Sequence, residues 1–498
     1  TDLALPYAMA LGDAQRAAGE MAEAQKSFEG ALKLAPRSES AKEGLGRVLL
    51  ARSREKELVD RLRAEKDARK VALLRGIAWY RLGDPKKARA ELQATQTNGK
   101  YPAEAAVYLA LIDASEEGGG DKAVETLEKF AGSLRKNKAT VQVALARVYM
   151  QKNALDKART QLEEAAKDPA DYEGNALLGE LLLKAGVPAD VAIEPLQRAV
   201  DRNGSHAPSR HLLTRTLLQL GKVPEAVKQI DAWIADNPSL ELVWRDAALV
   251  YLQAGRIKDA AAAMARVSDK TDELEWWRTR ALIEFARADG RAAMAALERA
   301  NKLNPKDAET FCEIGNAFVR QGNQDTAGAA YGAATREEPK SICGLGGPLF
   351  ARPAKGNKSK DTLTGLIGRS THAWEKGWLL SSLARVQLLE NDVKTARESV
   401  DEALTVAPFH PAVWFANAEV FKREKNDAKA LEAYGKAAEL DGSWSQARLS
   451  YADALAKQGG ASLPQAIAQY EAVLAIDQNE GDQARVKKTI ATLKKQLP

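Results

Sequence analysis

The chain has 498 residues, 45% apolar and 28% charged, and its 73 basic side chains nearly balance 68 acidic ones for a net charge of +5. That composition excludes a disordered chain and gives no nucleic-acid footprint, and no apolar run reaches the roughly 18 residues a membrane helix needs. Two cysteines, Cys312 and Cys343, are too few for a disulfide framework or an all-cysteine zinc site, leaving two thiols or a single bridge.

The first residues, Thr1-Asp2-Leu3-Ala4, lack a basic segment followed by an apolar one, and a start other than methionine is read as an excised or processed form. From there an alanine followed four residues later by a large apolar side chain recurs along the chain. The series runs Ala24/Phe28, Ala88/Leu92, Ala123/Leu127, Ala158/Leu162, Ala192/Leu196 and Ala226/Ile230. It continues through Ala260/Met264, Ala293/Leu297, Ala327/Tyr331, Ala396/Val400, Ala430/Tyr434 and Ala466/Tyr470, mostly 33 to 36 residues apart. An i, i+4 pair shares one helix face, and alanine lets a neighbouring helix approach before the bulky partner fills the gap. A second amphipathic helix precedes each pair and closes on a turn that often holds glycine, as at Gly83, Gly221, Gly255 and Gly322. Proline ends several units, at Pro36, Pro305, Pro339 and Pro408.

The fullest copy runs from Asp307 to Pro339, with Phe311, Ile314, Gly315 and Phe318 striping its first helix and Ala327, Tyr331 and Ala334 its second. This pattern resembles the tetratricopeptide repeat, W-x2-L-G-x2-Y then A-x3-F then P with a period of about 34. Trp244 with Tyr251 and Trp414 with Phe421 repeat its aromatic landmarks. The resemblance implies an all-α, right-handed superhelical α-solenoid of about 14 helix-turn-helix repeats. Residues 1–339 are expected to hold about ten repeats, the second degenerate, with Leu58 in place of alanine. Residues 340–373 read as a remodelled repeat, its first helix broken by Gly344, Gly346, Gly347, Pro348 and Pro353, followed by a basic loop, Lys355–Lys360, and a surviving second helix near Asp361–Arg369. Three repeats follow in 374–481, and 482–498, from Asp482 through Leu497, reads as a capping helix.

No constellation for catalysis, cofactor or metal emerges. None of His206, His211, His372 and His410 has a second histidine at i+3 or i+4, Gly344–Gly347 lacks the Gly-Lys-Ser/Thr of a phosphate loop, and no G-x-S-x-G occurs. Cys312 sits in a helix with no histidine near it in sequence. The chain reads as a non-enzyme without cofactor.

The resemblance further implies that positions 5, 9 and 12 of each first helix line a ligand groove. They hold Val143, Arg147 and Met150; His211, Arg215 and Leu218; Arg245 and Leu249; Arg278 and Leu282; Cys312 and Asn316; Ser381 and Arg385; Phe415 and Glu419, with Arg320 beside them. Guanidinium forks suit carboxylates, so an acidic or amphipathic protein segment is one expected ligand. The equal alternative pairs these arginines with Glu180, Glu284, Glu313 and Glu419 in neighbouring repeats. Chaperone-tail receptors of the family resemble one another in a lysine at position 5 and an asparagine at position 9. Asn316 has Cys312 at its fifth position, which argues against that subtype. Trp244, Trp277 and Trp414 read as core, whereas Trp374, Trp378 and Trp444 read as exposed, and Lys355, Lys358, Lys360, Trp374 and Trp378 as a second docking site.

A scaffold or adaptor binding other proteins follows, with neither nucleic acid nor a membrane span. The Ala- and Arg-rich, Cys-poor style resembles bacterial members that serve pili, secretion, motility or polysaccharide export, in cytoplasm or periplasm. The alternatives are a recognition part of a glycosyl- or phosphotransferase and self-association through a terminus.

Overall fold

The computed structural model describes residues 3–63, 69–116, 118–133, 138–168, 171–476 and 480–496. Among them are 29 α-helices, a 3-10 turn at Gly460–Ser462 and no strand. The helices form fourteen consecutive pairs, from Ala4–Ala18 with Met21–Leu34 to Ser445–Gln458 with Leu463–Ile476, and then a single helix, Glu480–Lys494. Thr1, Asp2, Leu497 and Pro498 lie outside the described residues.

The recurring alanine and large apolar pair is the seam of each unit. Ala24, Phe28, Ala327 and Tyr331 are fully buried, and of the twelve pairs only Met264 is left half-buried. A buried side chain of this size contributes about 1.5–3 kcal/mol through the water it leaves. The facing helix accommodates it with glycine: a Cβ on Gly315 would come within 2.6 Å of the Tyr331 ring.

The turn inside five of the pairs has a common construction. A left-handed residue closes the first helix, and the Asp or Asn just after it caps the second with its side chain. Gly83 with Asp84, Ala288 with Asp289, Gly322 with Asn323, Asn391 with Asp392 and Lys425 with Asn426 all follow it.

The repeat expected to lose its first helix keeps it. Ile342–Ala351 is helical through Gly344, Gly346, Gly347 and Pro348, and the ladder resumes where the Arg352 amide donates to the Pro348 carbonyl at 2.9 Å. These glycines serve close packing, since Gly347 lies under the Tyr331 ring and Gly346 against Trp378 and Leu379. The expected basic loop is shorter too, because Asn357–Arg369 is already helical at Lys358 and Lys360.

The chain divides into two compact units, Thr1–Thr216 with Gln229–Ser239, and Leu217–Lys228 with Leu240–Pro498. In both, successive first helices pack on one another, as Arg69–Arg81 does on Ala103–Ala114 and Ala373–Leu389 on Pro411–Arg423. Each unit also closes on itself, with the turn of one pair reaching the end of the pair four or five repeats on.

In the first unit Gly19 (φ 85°) sits so close to the Arg202 carbonyl that a Cβ would fall 2.5 Å from its oxygen. Arg52 donates to the Asp236 carbonyl at 2.6 Å, and Asn203 to the Ala51 carbonyl at 2.8 Å. In the second unit Gly221 abuts the Val406 carbonyl, Gly255 abuts Phe409 and Leu440, and the Ser443 amide donates to the Phe285 carbonyl at 3.1 Å. A buried ion pair ties the end of the next first helix, Ala308–Arg320, to the same connection, with Arg320 Nε 2.6 Å from the Asp441 carboxylate.

Candidate partner-binding walls

The first helices of both units line interior cavities. In the first unit a cavity of about 470 Å³ takes walls from the first helices of six consecutive pairs. Five arginines border it, Arg16, Arg47, Arg81, Arg147 and Arg202, against three carboxylates, Glu104, Asp171 and Glu173.

Arg81 ends its helix there, donating to the Leu50 carbonyl at 3.0 Å and pairing with Glu173 and with Glu55, the latter at 3.5 Å. Burial opposes the Glu173 charge, yet Arg81 and Arg147 hold its carboxyl below the ordinary range. Asp171 behaves oppositely: burial, reinforced by Glu173 and Asp168, pushes it up to about 6. One of its oxygens caps a helix at the Gly174 amide, 3.0 Å away, and the other is buried without a partner. Arg147 is the looser group, 39% exposed with its nearest carboxylate oxygen at 3.9 Å. Arg16, Arg47 and Arg81 also pair with Asp13, Glu43 and Glu55 behind the lining, at 3.3, 3.2 and 3.5 Å.

The second unit holds a smaller cavity of about 170 Å³, again walled by first helices. Rings dominate it: Phe350, Trp374, Trp378, Phe409 and Trp444. Its polar groups are Glu313, Asn316, Arg320, Cys343, Glu375, His410 and Asp441. His410 caps a helix by accepting from the Ala412 amide at 3.1 Å through Nδ1, packs on Trp374 with centroids 4.5 Å apart, and is held down to about 3 by burial and by Arg320. Burial pushes Glu313 and Glu375 up and the Cys343 thiol well up.

The residues singled out from sequence are dispersed. Arg147 borders the first cavity, and Asn316 and Arg320 the second, while Met150, His211 and Arg215 are half-buried and border neither. Arg245 pairs with Glu273 at 3.2 Å, and Arg278 with Asp307 at 2.8 Å and Glu309 at 2.5 Å. Pairing is thus observed, with carboxylates at the start of the next first helix in place of the expected Glu284 and Glu180, which pair with Arg287 and Lys184 on their own helices.

Two members of the expected groove are corrected to core. Phe415 is 2% exposed against Trp444 and Tyr434, and Arg385 lies over the Phe350 and Phe415 rings with its Nη1 donating to the Phe350 carbonyl at 2.8 Å. Cys312 and Ser381 are buried as well. Successive first helices press on one another, so position 5 is consumed by packing.

The expected second docking site does not assemble. Trp378 and Trp444 are buried, Trp374 is half-buried at the second cavity, Lys360 pairs with Glu390 at 2.7 Å, and Lys355 and Lys358 are exposed. Trp277 is buried as expected, while Trp244 and Trp414 are half-buried.

Sequence reasoning passed over Arg16, Arg47, Arg81 and Arg202 in one unit and Glu375 and Asp441 in the other, and it gave Glu313, His410 and Trp444 no place in a site. One signal was present. Arg81 and Arg320 both stand five residues after a helical glycine, Gly76 and Gly315, and both end their helices. Among the described residues no group of three or more His, Cys, Asp or Glu side chains could hold a metal ion, and no helix is long and apolar enough to cross a membrane.

The tetratricopeptide-repeat family's sequence model matches residues 9–57 and 211–274. No curated protein sequence matches the chain. Among the solved structures that match is one described as the crystal structure of the APC/C hetero-tetramer Cut9–Hcn1. It is 14% identical, with 98% of this chain and 96% of that chain covered and a TM-score of 0.37.

Proposed function

Taking the chain as the tetratricopeptide-repeat protein that its matched segments and helix pairs make it, we propose that it is a non-catalytic scaffold whose interior walls hold partner proteins. The wall of the first unit takes an acidic segment of a partner. One observation carries this reading: five guanidinium groups border that cavity against three carboxylates, one of them, Asp171, pushed toward neutrality. Concentrated positive charge between low-dielectric walls attracts acidic chains and pairs with them through charge-assisted forks. Arg245 and Arg278 are already paired within the protein, which leaves Arg147 and Arg202 as the arginines to test. The setting is read, from the resemblance of the Ala- and Arg-rich, Cys-poor sequence to bacterial members of the family, as envelope assemblies such as pili, secretion, motility or polysaccharide export.

The test is fluorescence anisotropy of a labelled peptide rich in Glu and Asp, titrated with the full chain and with an Arg147→Glu/Arg202→Glu variant. The variant should bind at least about tenfold more weakly, and raising the salt should weaken the wild type in parallel. Equal affinity for the two proteins overturns the reading.

A further inference from the structure

Helix stacking in this chain uses fixed positions. Val71, Val141, Val243 and Val413 each stand seventeen residues before a seam alanine, and Ala78, Val148, Val250 and Val420 ten before it; all eight are at most 1% exposed. They meet the second helix of the pair before, as Val413 does at Ala403 and Val420 at Ala396 and Val400.

In Ala4–Ala18 the same two positions hold Tyr7 and Ala14, seventeen and ten residues before Ala24, and both are exposed, Tyr7 to 69%. Exposed Ala10 and Leu3, the latter 81% exposed, extend them into one stripe with the alternating spacing of four, three and four that a helix–helix seam uses. Five large apolar side chains are exposed among the described residues, and Leu3, Tyr7 and Leu34 put three of them on this one helix pair. Apolar surface gathered in this way marks an interaction face.

The stripe is complementary to itself. Its two large side chains stand at one end and its two small ones at the other. A second copy running antiparallel sets Leu3 against Ala14 and Tyr7 against Ala10, bulk against gap each time, about one two-fold axis. Asp13, the exposed charge beside the stripe, pairs with Arg16 on its own helix at 3.3 Å, and the same register sets it opposite Ala4 instead of a like charge.

We propose that the chain self-associates through this face, two copies joining their Ala4–Ala18 helices antiparallel. The surface is separate from the interior walls, because Leu3, Tyr7, Ala10 and Ala14 border neither cavity.

The experiment is sedimentation equilibrium of the full chain over a range of concentrations. One helix pair buries less than the roughly 1,200 Å² of a standard interface, so a reversible dimer is expected, with a dissociation constant on the order of 10 μM. Tyr7→Glu, at an exposed position, should stay folded by circular dichroism and weaken association at least about tenfold. Val191→Glu, which places the same charge at an exposed apolar position elsewhere in the first unit, should leave association unchanged. A mixture of Tyr7→Cys and Ala10→Cys proteins, oxidised with copper phenanthroline, should cross-link as the mixed dimer in excess of either like pair.

Wild type that stays monomeric at the highest concentration overturns the proposal, as does a Tyr7→Glu variant that associates as tightly as wild type. Cross-linking that favours pairs of Tyr7→Cys chains overturns the antiparallel register.

Discussion

His410 gives a pH test of how tightly the second unit is closed. Its ring is 8% exposed, accepts from the Ala412 amide and is held neutral, with its pKa down to about 3 through burial first and Arg320 second. The sign follows from linkage. The unfolded chain takes up a proton near pH 6.5 while the folded chain does not, so stability present above that pH is lost as pH falls toward the folded value. Between pH 7.5 and pH 5 the unfolded histidine gains about 1.5 pKa units of advantage, or about 2 kcal/mol at 1.36 kcal/mol per unit.

His206, buried in the first unit and also held down to about 3, contributes a similar loss there, while Asp171 at about 6 contributes an opposing gain of about 1 kcal/mol. Replacing His410 with asparagine keeps a capping acceptor and removes the titrating ring. Urea unfolding of wild type and His410→Asn at both pH values, followed by tryptophan fluorescence, isolates the difference. The variant should lose about 2 kcal/mol less than wild type on acidification, whatever the pH-independent cost of lost packing on Trp374. Equal losses in the two proteins would refute the claim that the ring is buried and neutral.

Two further outcomes are expected. Gly315→Ala forces a methyl within 2.6 Å of the Tyr331 ring and should cost about 1–3 kcal/mol in urea unfolding, an effect that Gly315→Ala/Tyr331→Phe will not relieve because the clash is with the ring. Asp441→Asn leaves the Arg320 charge buried without its carboxylate and should cost about 3–5 kcal/mol, whereas Arg320→Met/Asp441→Asn should recover much of that loss. A double variant as unstable as the single one would show that the ion pair itself holds the end of Ala308–Arg320 in place.

The repeat was legible because its seam is local. An alanine and a ring four residues apart, a left-handed turn residue and a capping Asp or Asn recur at a fixed phase, and each acts within about 35 residues. The candidate walls were not legible in the same way. Arg52 with Asp236, Arg81 with Glu173 and Arg320 with Asp441 join groups between 92 and 184 positions apart, at which no periodic pattern speaks. Ile342–Ala351 shows the converse. Glycine and proline there argued for a broken helix, but the cause of the glycines was the approach of Tyr331 and Trp378, which only the packed neighbours reveal.

The contacts between turns four or five repeats apart bear on how such a chain can change its length. In an open array each repeat answers only to its neighbours, so a unit can be gained or dropped with the rest indifferent. Here the loss of one repeat from either unit would move Gly19 off Arg202 or Gly255 off Leu440 by a whole helix pair, and every later contact with it. Repeat number inside each unit thus becomes a conserved count, tuned like the teeth of a gear, and variation in length is confined to places where nothing meshes.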